Sequence, residues 1–154
     1  MGRKSTKENK NIYQEIRESL NLTRAQASEL LEYISEDRLE KIEAGKSDIR
    51  PEEVLTMAKQ YKRPDLTNYY CSSECPIGRK YIPSVETKDL SQITLEMLAT
   101  LNSLEKQKSR LVEITVDGKI DENEKADFEN IKNQLDDMLK TITALKIWVE
   151  SELK

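Results

Sequence analysis

The sequence predicts an all-α protein in two parts: a cluster of short helices, then a long antiparallel helical hairpin. Only four Gly and four Pro interrupt the 154 residues, and 35% of the chain is charged. That balance favours helix over sheet. Between residues 12 and 60, apolar side chains recur at spacings of three and four in short bursts, each bounded by capping residues. From residue 90 the same spacing runs on as a near-continuous heptad pattern. Aromatics are only 5%, so the core has to be mostly aliphatic. No apolar run approaches the roughly 18 residues that span a bilayer, and no signal-peptide core appears. A cytoplasmic protein with no membrane partner is expected. The start, Met1-Gly2-Arg3-Lys4-Ser5-Thr6, fits the loose myristoylation pattern, but nothing else speaks for a membrane.

Residues 1–10 read as a basic arm, with Arg3, Lys4, Lys7 and Lys10 against Glu8, although the whole chain carries a net charge of −4. Such an arm can meet phosphate, and a solvated terminus explains the same letters equally well. Acid concentrates in the C-terminal half, most densely over residues 121–130.

Ile12, Ile16 and Leu20 fall on one face of a first helix, which Asn21-Leu22 ends. Thr23-Arg-Ala-Gln26 has the form of a capping box at the start of a second helix, lined by Ala27, Leu30 and Leu31. After a turn at Glu32-Tyr33-Ile34, Ser35 is a good N-cap for a third helix, and Glu36 and Asp37 suit its positive end. Leu39 and Ile42 point inward, and Gly45 stops that helix. Pro51 opens a fourth helix whose buried face is Val54, Leu55 and Ala58.

Residues 67–88 lose this periodicity. Pro76, Pro83, Cys71, Cys75 and the tyrosines Tyr69, Tyr70 and Tyr81 mark a connector too aromatic to be a plain tether, expected to pack across one or both modules. Residues 89–154 form the hairpin. Leu90, Met97, Leu104 and Leu111 recur every seven residues, with Ile93, Leu101 and Ile114 beside them. Past Asp117-Gly118, a second seam follows: Phe128, Ile131, Leu135, Met138, Ile142, Leu145 and Val149, with Trp148 at its flank. Two helices alone bury each stripe on one side only, so homodimerisation through residues 89–154 is expected.

The ordered pattern Leu22-Thr23-Arg24-x-Gln26-Ala27-x-Glu29-Leu30-Leu31, Ile34-Ser35, Leu39 and Ile42-Glu43-x-Gly45-Lys46 resembles the Cro/lambda-repressor-type helix-turn-helix family, often called the XRE family. The resemblance covers residues 11–66. Residues 68–78, Asn-Tyr-Tyr-Cys through Cys-Pro-Ile-Gly, also resemble a connector in some bacterial proteins of this type. It implies a lambda-repressor-like domain that places its third helix in the major groove of double-stranded DNA, as a homodimer on an inverted repeat. The DNA-binding candidates it implies are Ser35, Glu36, Asp37, Arg38 and Lys41 on that helix. Arg24 at the start of the second helix, Lys46 just past the third, and Arg3 and Lys4 in the arm complete them. Two departures stand out. The turn at Glu32-Tyr33-Ile34 is one residue longer than usual and lacks the customary Gly. The third helix also sets Glu36, Asp37, Glu40 and Glu43 against only Arg38 and Lys41, a sign that phosphate repels. Carboxylates can still accept from cytosine N4, so the alternative stays open: an interaction module that keeps the fold without DNA.

No cofactor is expected, and no enzyme: there is no His, no nucleophile-and-base pair and no Gly-rich phosphate loop. Cys71-x-x-x-Cys75 offers at most half of a metal site, a local disulfide, or two packed thiols. Gly118-Lys-Ile-Asp121-Glu-Asn-Glu124 matches the second half of a calcium loop, but the first half fails.

Overall fold

The computed structural model describes residues 10–116 and 120–152, so Arg3, Lys4 and the break at Asp117-Gly118 lie outside the described residues. Among the described residues all regular structure is helical. The chain divides into two compact units between Tyr70 and Cys71.

The first unit contains α1 (Ile12–Ser19), α2 (Arg24–Leu31), α3 (Glu36–Glu43), α4 (Pro51–Gln60) and α5 (Asp65–Tyr69). Its helix starts are where the capping letters put them. Thr23 and Gln26 form the reciprocal capping box of α2. Ser35 caps α3 by accepting from the Arg38 N–H, and Pro51 is the first residue of α4. Asn11 caps α1 through its side chain and also donates to the Ile42 carbonyl at 2.7 Å, tying α1 to α3. Gly45 follows α3 at φ 66°, the left-handed position that a C′ glycine fills.

The core joins Tyr13, Ile16, Ala27, Leu31, Ile34, Leu39, Ile42, Ile49, Val54, Met57, Ala58, Tyr61 and Leu66. Three expected core residues face outward instead. Leu20 has reached the C-cap of α1, and Leu30 and Leu55 lie one residue off the stripes that Leu31 and Val54 define; all three are exposed. Tyr13 and Met57 take the interior. The unit also runs past residue 66, because α5 brings Tyr69 edge-on to Tyr13, with ring centroids 6.2 Å apart, and Tyr70 packs on the same core.

The turn between α2 and α3 has a distinct backbone. Tyr33 N–H donates to the Leu31 carbonyl at 2.5 Å, closing a three-residue γ-turn around Glu32, whose φ is 56° and ψ −51°. This is the rare positive-φ γ-turn, a strained conformation for any residue with a Cβ. The turn leaves Tyr33 exposed and Ile34 buried.

A π-helical turn that begins at Tyr70 and runs to Glu74 leads, in the second unit, to α6 (Gly78–Tyr81). Gly78 packs so closely on the Cys71 carbonyl that a Cβ would collide with it, and its N–H points at the Cys75 sulfur at 3.4 Å. Both cysteines are free thiols. The connector is thus helical in pieces, with Tyr81 exposed. The long helices α7 (Leu90–Thr115) and α8 (Lys125–Glu152) pack along each other as the expected hairpin, pinned near its turn by Arg110 on Asp127 at 2.7 Å.

On α7, Ile93 and Ile114 are fully buried and Met97, Leu104 and Leu111 half-buried, as the heptads predict, while Leu90 and Leu101 are exposed. On α8 the seam differs by one residue at every second step. Ile131, Met138 and Leu145 turn inward, but Gln134, Thr141, Ala144, Ile147 and Trp148 accompany them, and Leu135, Ile142 and Val149 are exposed. Thr141 tolerates burial because its hydroxyl donates to its own helix, to the Met138 carbonyl at 2.9 Å. Ahead of α8, Asp121 accepts from the Asn123 and Glu124 N–H groups while Glu124 accepts from the Asp121 N–H. The calcium-like letters therefore serve as a helix cap.

Replacing Glu32 by Gly relieves the γ-turn. After allowance for glycine's greater unfolded-state entropy, Glu32→Gly is expected to stabilise the first unit by about 1 kcal/mol, a melting temperature several degrees higher. Thermal unfolding followed by circular dichroism measures it; no change, or a lower melting point, contradicts the strain.

Candidate nucleic-acid interface

The site begins with how α3 is held. Leu39 and Ile42 anchor its inner face, and Glu43, one turn beyond Leu39, continues the same face into the interior. A carboxylate there needs partners. It receives a two-pronged guanidinium from Arg17 of α1, Nε to Oε1 at 2.5 Å and an Nη to Oε2 at 2.8 Å, and Arg24 Nε to Oε2 at 2.9 Å from α2. Arg17 also donates to the Leu22 carbonyl at 2.6 Å. Bonding to Glu43 outweighs burial and raises the Arg17 pKa. Tyr61 lies close enough to feel both charges; burial first, then Glu43, pushes its hydroxyl well above the ordinary phenol value. One carboxylate thus joins the first three helices.

Arg38 is held as firmly. Its guanidinium makes two 2.7 Å bonds to the Glu53 carboxylate of α4, a third of 2.7 Å to the Asp48 carbonyl, and a contact to the Ser47 hydroxyl. Glu53 also accepts from the Arg50 N–H at 2.8 Å, so this network fixes the α3–α4 loop and the start of α4. Arg38 holds the Glu53 carboxyl below its ordinary value of 4.5.

The sequence-derived candidates therefore fall into distinct groups. Ser35 is the α3 cap. Arg38 is an internal strut, and Arg24, one-third exposed, leans on Glu43 at the first residue of α2. Glu36, Asp37 and Lys41 line the exposed face of α3; Lys41 bonds Asp37 at 2.7 Å. Lys46, just past the helix, lies 3.9 Å from Glu40. Every described candidate cation thus has a carboxylate neighbour in the chain. Glu43 does not add to the exterior charge, which leaves Glu36, Asp37 and Glu40 against Lys41 and Lys46 on and beside α3. Sequence reasoning passed over the Arg17–Glu43–Arg24 cluster and the exposed Tyr33 beside Ser35. A signal existed: Arg17 follows Tyr13, and Glu43 follows Leu39, at the four-residue spacing of an inward face. Among the described residues, no three Cys, Asp or Glu side chains are placed to hold a metal ion, and no helix is long and apolar enough to cross a membrane.

Two consecutive helices around a tight turn, the second capped by Ser35 and keeping one face outward, define a helix-turn-helix domain. Residues 14–65 match the family model described as Helix-turn-helix, so this segment is similar to the Cro/C1-type, or XRE, helix-turn-helix domains. The match covers under half of the chain. No curated protein and no solved structure matches the chain. The family is a DNA-binding regulatory domain rather than a catalytic one, and the match supports a DNA-binding regulator of this type.

Two outcomes follow from the charge network. Removing Arg38 strips Glu53 of its partner, so Arg38→Ala is expected to destabilise the first unit by about 1–3 kcal/mol in denaturant titration, whereas Lys41→Ala stays within about 0.5 kcal/mol. The carboxyls of Glu53, through Arg38, and of Glu18, through Lys10 and then Gln14, are both lowered in the folded state. Their contribution is present above the ordinary value of 4.5 and is lost as the pH falls below it through the folded values. Melting temperature should fall on acidification through that window, and Glu53→Gln should flatten part of the slope; equal slopes in the variant and the parent would contradict it.

Proposed function

We propose that the chain is a sequence-specific transcriptional regulator that acts in the cytoplasm as a homodimer on an inverted repeat of double-stranded DNA. The observation that carries this reading is the division of α3: Leu39, Ile42, Glu43 and Arg38 hold the fold, while Glu36, Asp37, Glu40 and Lys41 stay outside it. A helix anchored on one face and capped at its N-terminus is the element that a helix-turn-helix domain inserts in the major groove. Glu36 and Asp37, at that N-terminus, would accept from cytosine N4. Arg24, Lys41, Lys46 and the arm residues Arg3 and Lys4 would meet phosphate, exchanging their carboxylate neighbours for the backbone. Residues 89–154 would join two copies so that their heads lie about one helical turn of DNA apart.

A second reading draws on the acidity of the α3 face: a module that keeps the fold and docks a basic protein partner. Selection from random-sequence DNA at low and moderate salt separates the two. The DNA reading expects an enriched inverted repeat, with Lys41→Ala and Lys46→Ala each reducing the slope of log affinity against log salt by about one. Arg38→Ala is unsuitable here, because it weakens the fold. No enrichment at either salt would overturn the DNA reading in favour of the basic partner.

A further inference from the structure

The hairpin carries two apolar stripes, and α7 and α8 use only one of them on each other. Along α8 the inward residues are Ile131, Gln134, Met138, Thr141, Ala144, Leu145, Ile147 and Trp148. One step past Gln134, Thr141 and Trp148 stand Leu135, Ile142 and Val149, 50%, 42% and 36% exposed, with Leu139 beside them at 44%. Along α7, Leu98 and Leu101 stand one step past the inward Met97 and Thr100, and are similarly exposed. One residue rotates a side chain by about 100°. Because the helices run antiparallel and both extra stripes are displaced one step C-terminal of the seam, the two stripes look out from the same side of the hairpin. The Arg110–Asp127 pair sets the levels, placing Leu98 and Leu101 beside the stretch from Leu135 to Ile142.

The charges bordering this face on α8 are self-complementary. Along its outer edge stand Lys132, Asp136, Lys146 and Glu150, all exposed. Lys132 and Glu150 are equally distant from residue 141, and so are Asp136 and Lys146. Leu135 and Val149 are likewise equidistant from Ile142. If a second α8 lies antiparallel across the first with its dyad between residues 141 and 142, each Lys falls within one residue of a carboxylate of the other copy and Leu135 within one residue of Val149. A parallel arrangement sets like against like. An unrelated partner would place no such symmetry on the sequence, whereas a two-fold interface requires one patch to fit itself.

We infer that the face formed by Leu98, Leu101, Leu135, Leu139, Ile142 and Val149 docks a second copy of this chain, α8 against α8 in antiparallel register about residues 141–142, to close a four-helix bundle. This deepens the paired-head reading, resting on it only for the expectation that the hairpin dimerises. The dimer itself is tested without DNA.

Light scattering and sedimentation of the full chain at micromolar concentration should give a dimer. Ile142→Glu, at an exposed position outside the α7–α8 seam, should raise the dimer Kd by about 100-fold with helix content retained by circular dichroism. Asp136→Lys and Lys146→Asp should each weaken the dimer about ten-fold, and the two together should restore it to near the parent value. A monomeric parent, an undiminished dimer in Ile142→Glu, or a double variant no better than the singles would overturn the inference. A monomer that still selects a DNA site would sink the dimer alone; a dimer that selects none would sink the DNA reading alone.

Discussion

Inside the first unit a single carboxylate, Glu43, sits between the guanidinium groups of Arg17 and Arg24. Taking an isolated charge out of water is costly, and the cluster persists because hydrogen bonds to two partners replace the lost hydration. The arrangement is directional in a way that apolar packing is not. Leu39 and Ile42 could slide against their neighbours with modest loss, but a bidentate pair fixes both the rotation of α3 and its distance from α1. Arg24 extends the constraint to the first residue of α2. The direction in which α3 points its outer residues depends on this cluster.

The hairpin rests on a different logic. Its seam includes Thr141 and Gln134, and the Gln134 side-chain oxygen is buried without a hydrogen-bond partner, while more strongly apolar residues one step away are left in solvent. Packing α7 on the alternative stripe would bury Leu135, Ile142 and Val149. The chosen seam keeps that stripe free, and Thr141 lowers the penalty of the choice by returning its hydroxyl to its own helix.

Much of this was legible in the letters because its causes are local. Caps at Thr23 and Ser35, Pro51 at a helix start and Gly45 at a helix end act within one turn, so sequence spacing is enough to find them. The heptads of α7 were equally plain. Half of the α8 seam was not, because the period selects the more apolar Leu135, Ile142 and Val149, whereas α7 covers Gln134, Thr141 and Trp148 one step away. The ion pairs escaped for the opposite reason. Arg17 and Glu43 are 26 residues apart and Arg38 and Glu53 are 15, and charged residues are assigned to the surface by default. Their inward spacing was the available hint. For the candidate interface, the positions on α3 were readable, but which cations were already engaged was a matter of tertiary geometry.

The separation of duties along α3 also bears on how such a domain could be re-addressed. Its scaffold positions, Ser35, Arg38, Leu39, Ile42 and Glu43, and its outward positions, Glu36, Asp37, Glu40 and Lys41, do not overlap. A combinatorial library confined to the outward four would alter the chemistry shown to a ligand while leaving the cap, the core and both guanidinium networks in place. The helix is, in effect, a cassette mounted on a fixed socket, and a new specificity grafted onto it would inherit the stability of the old one.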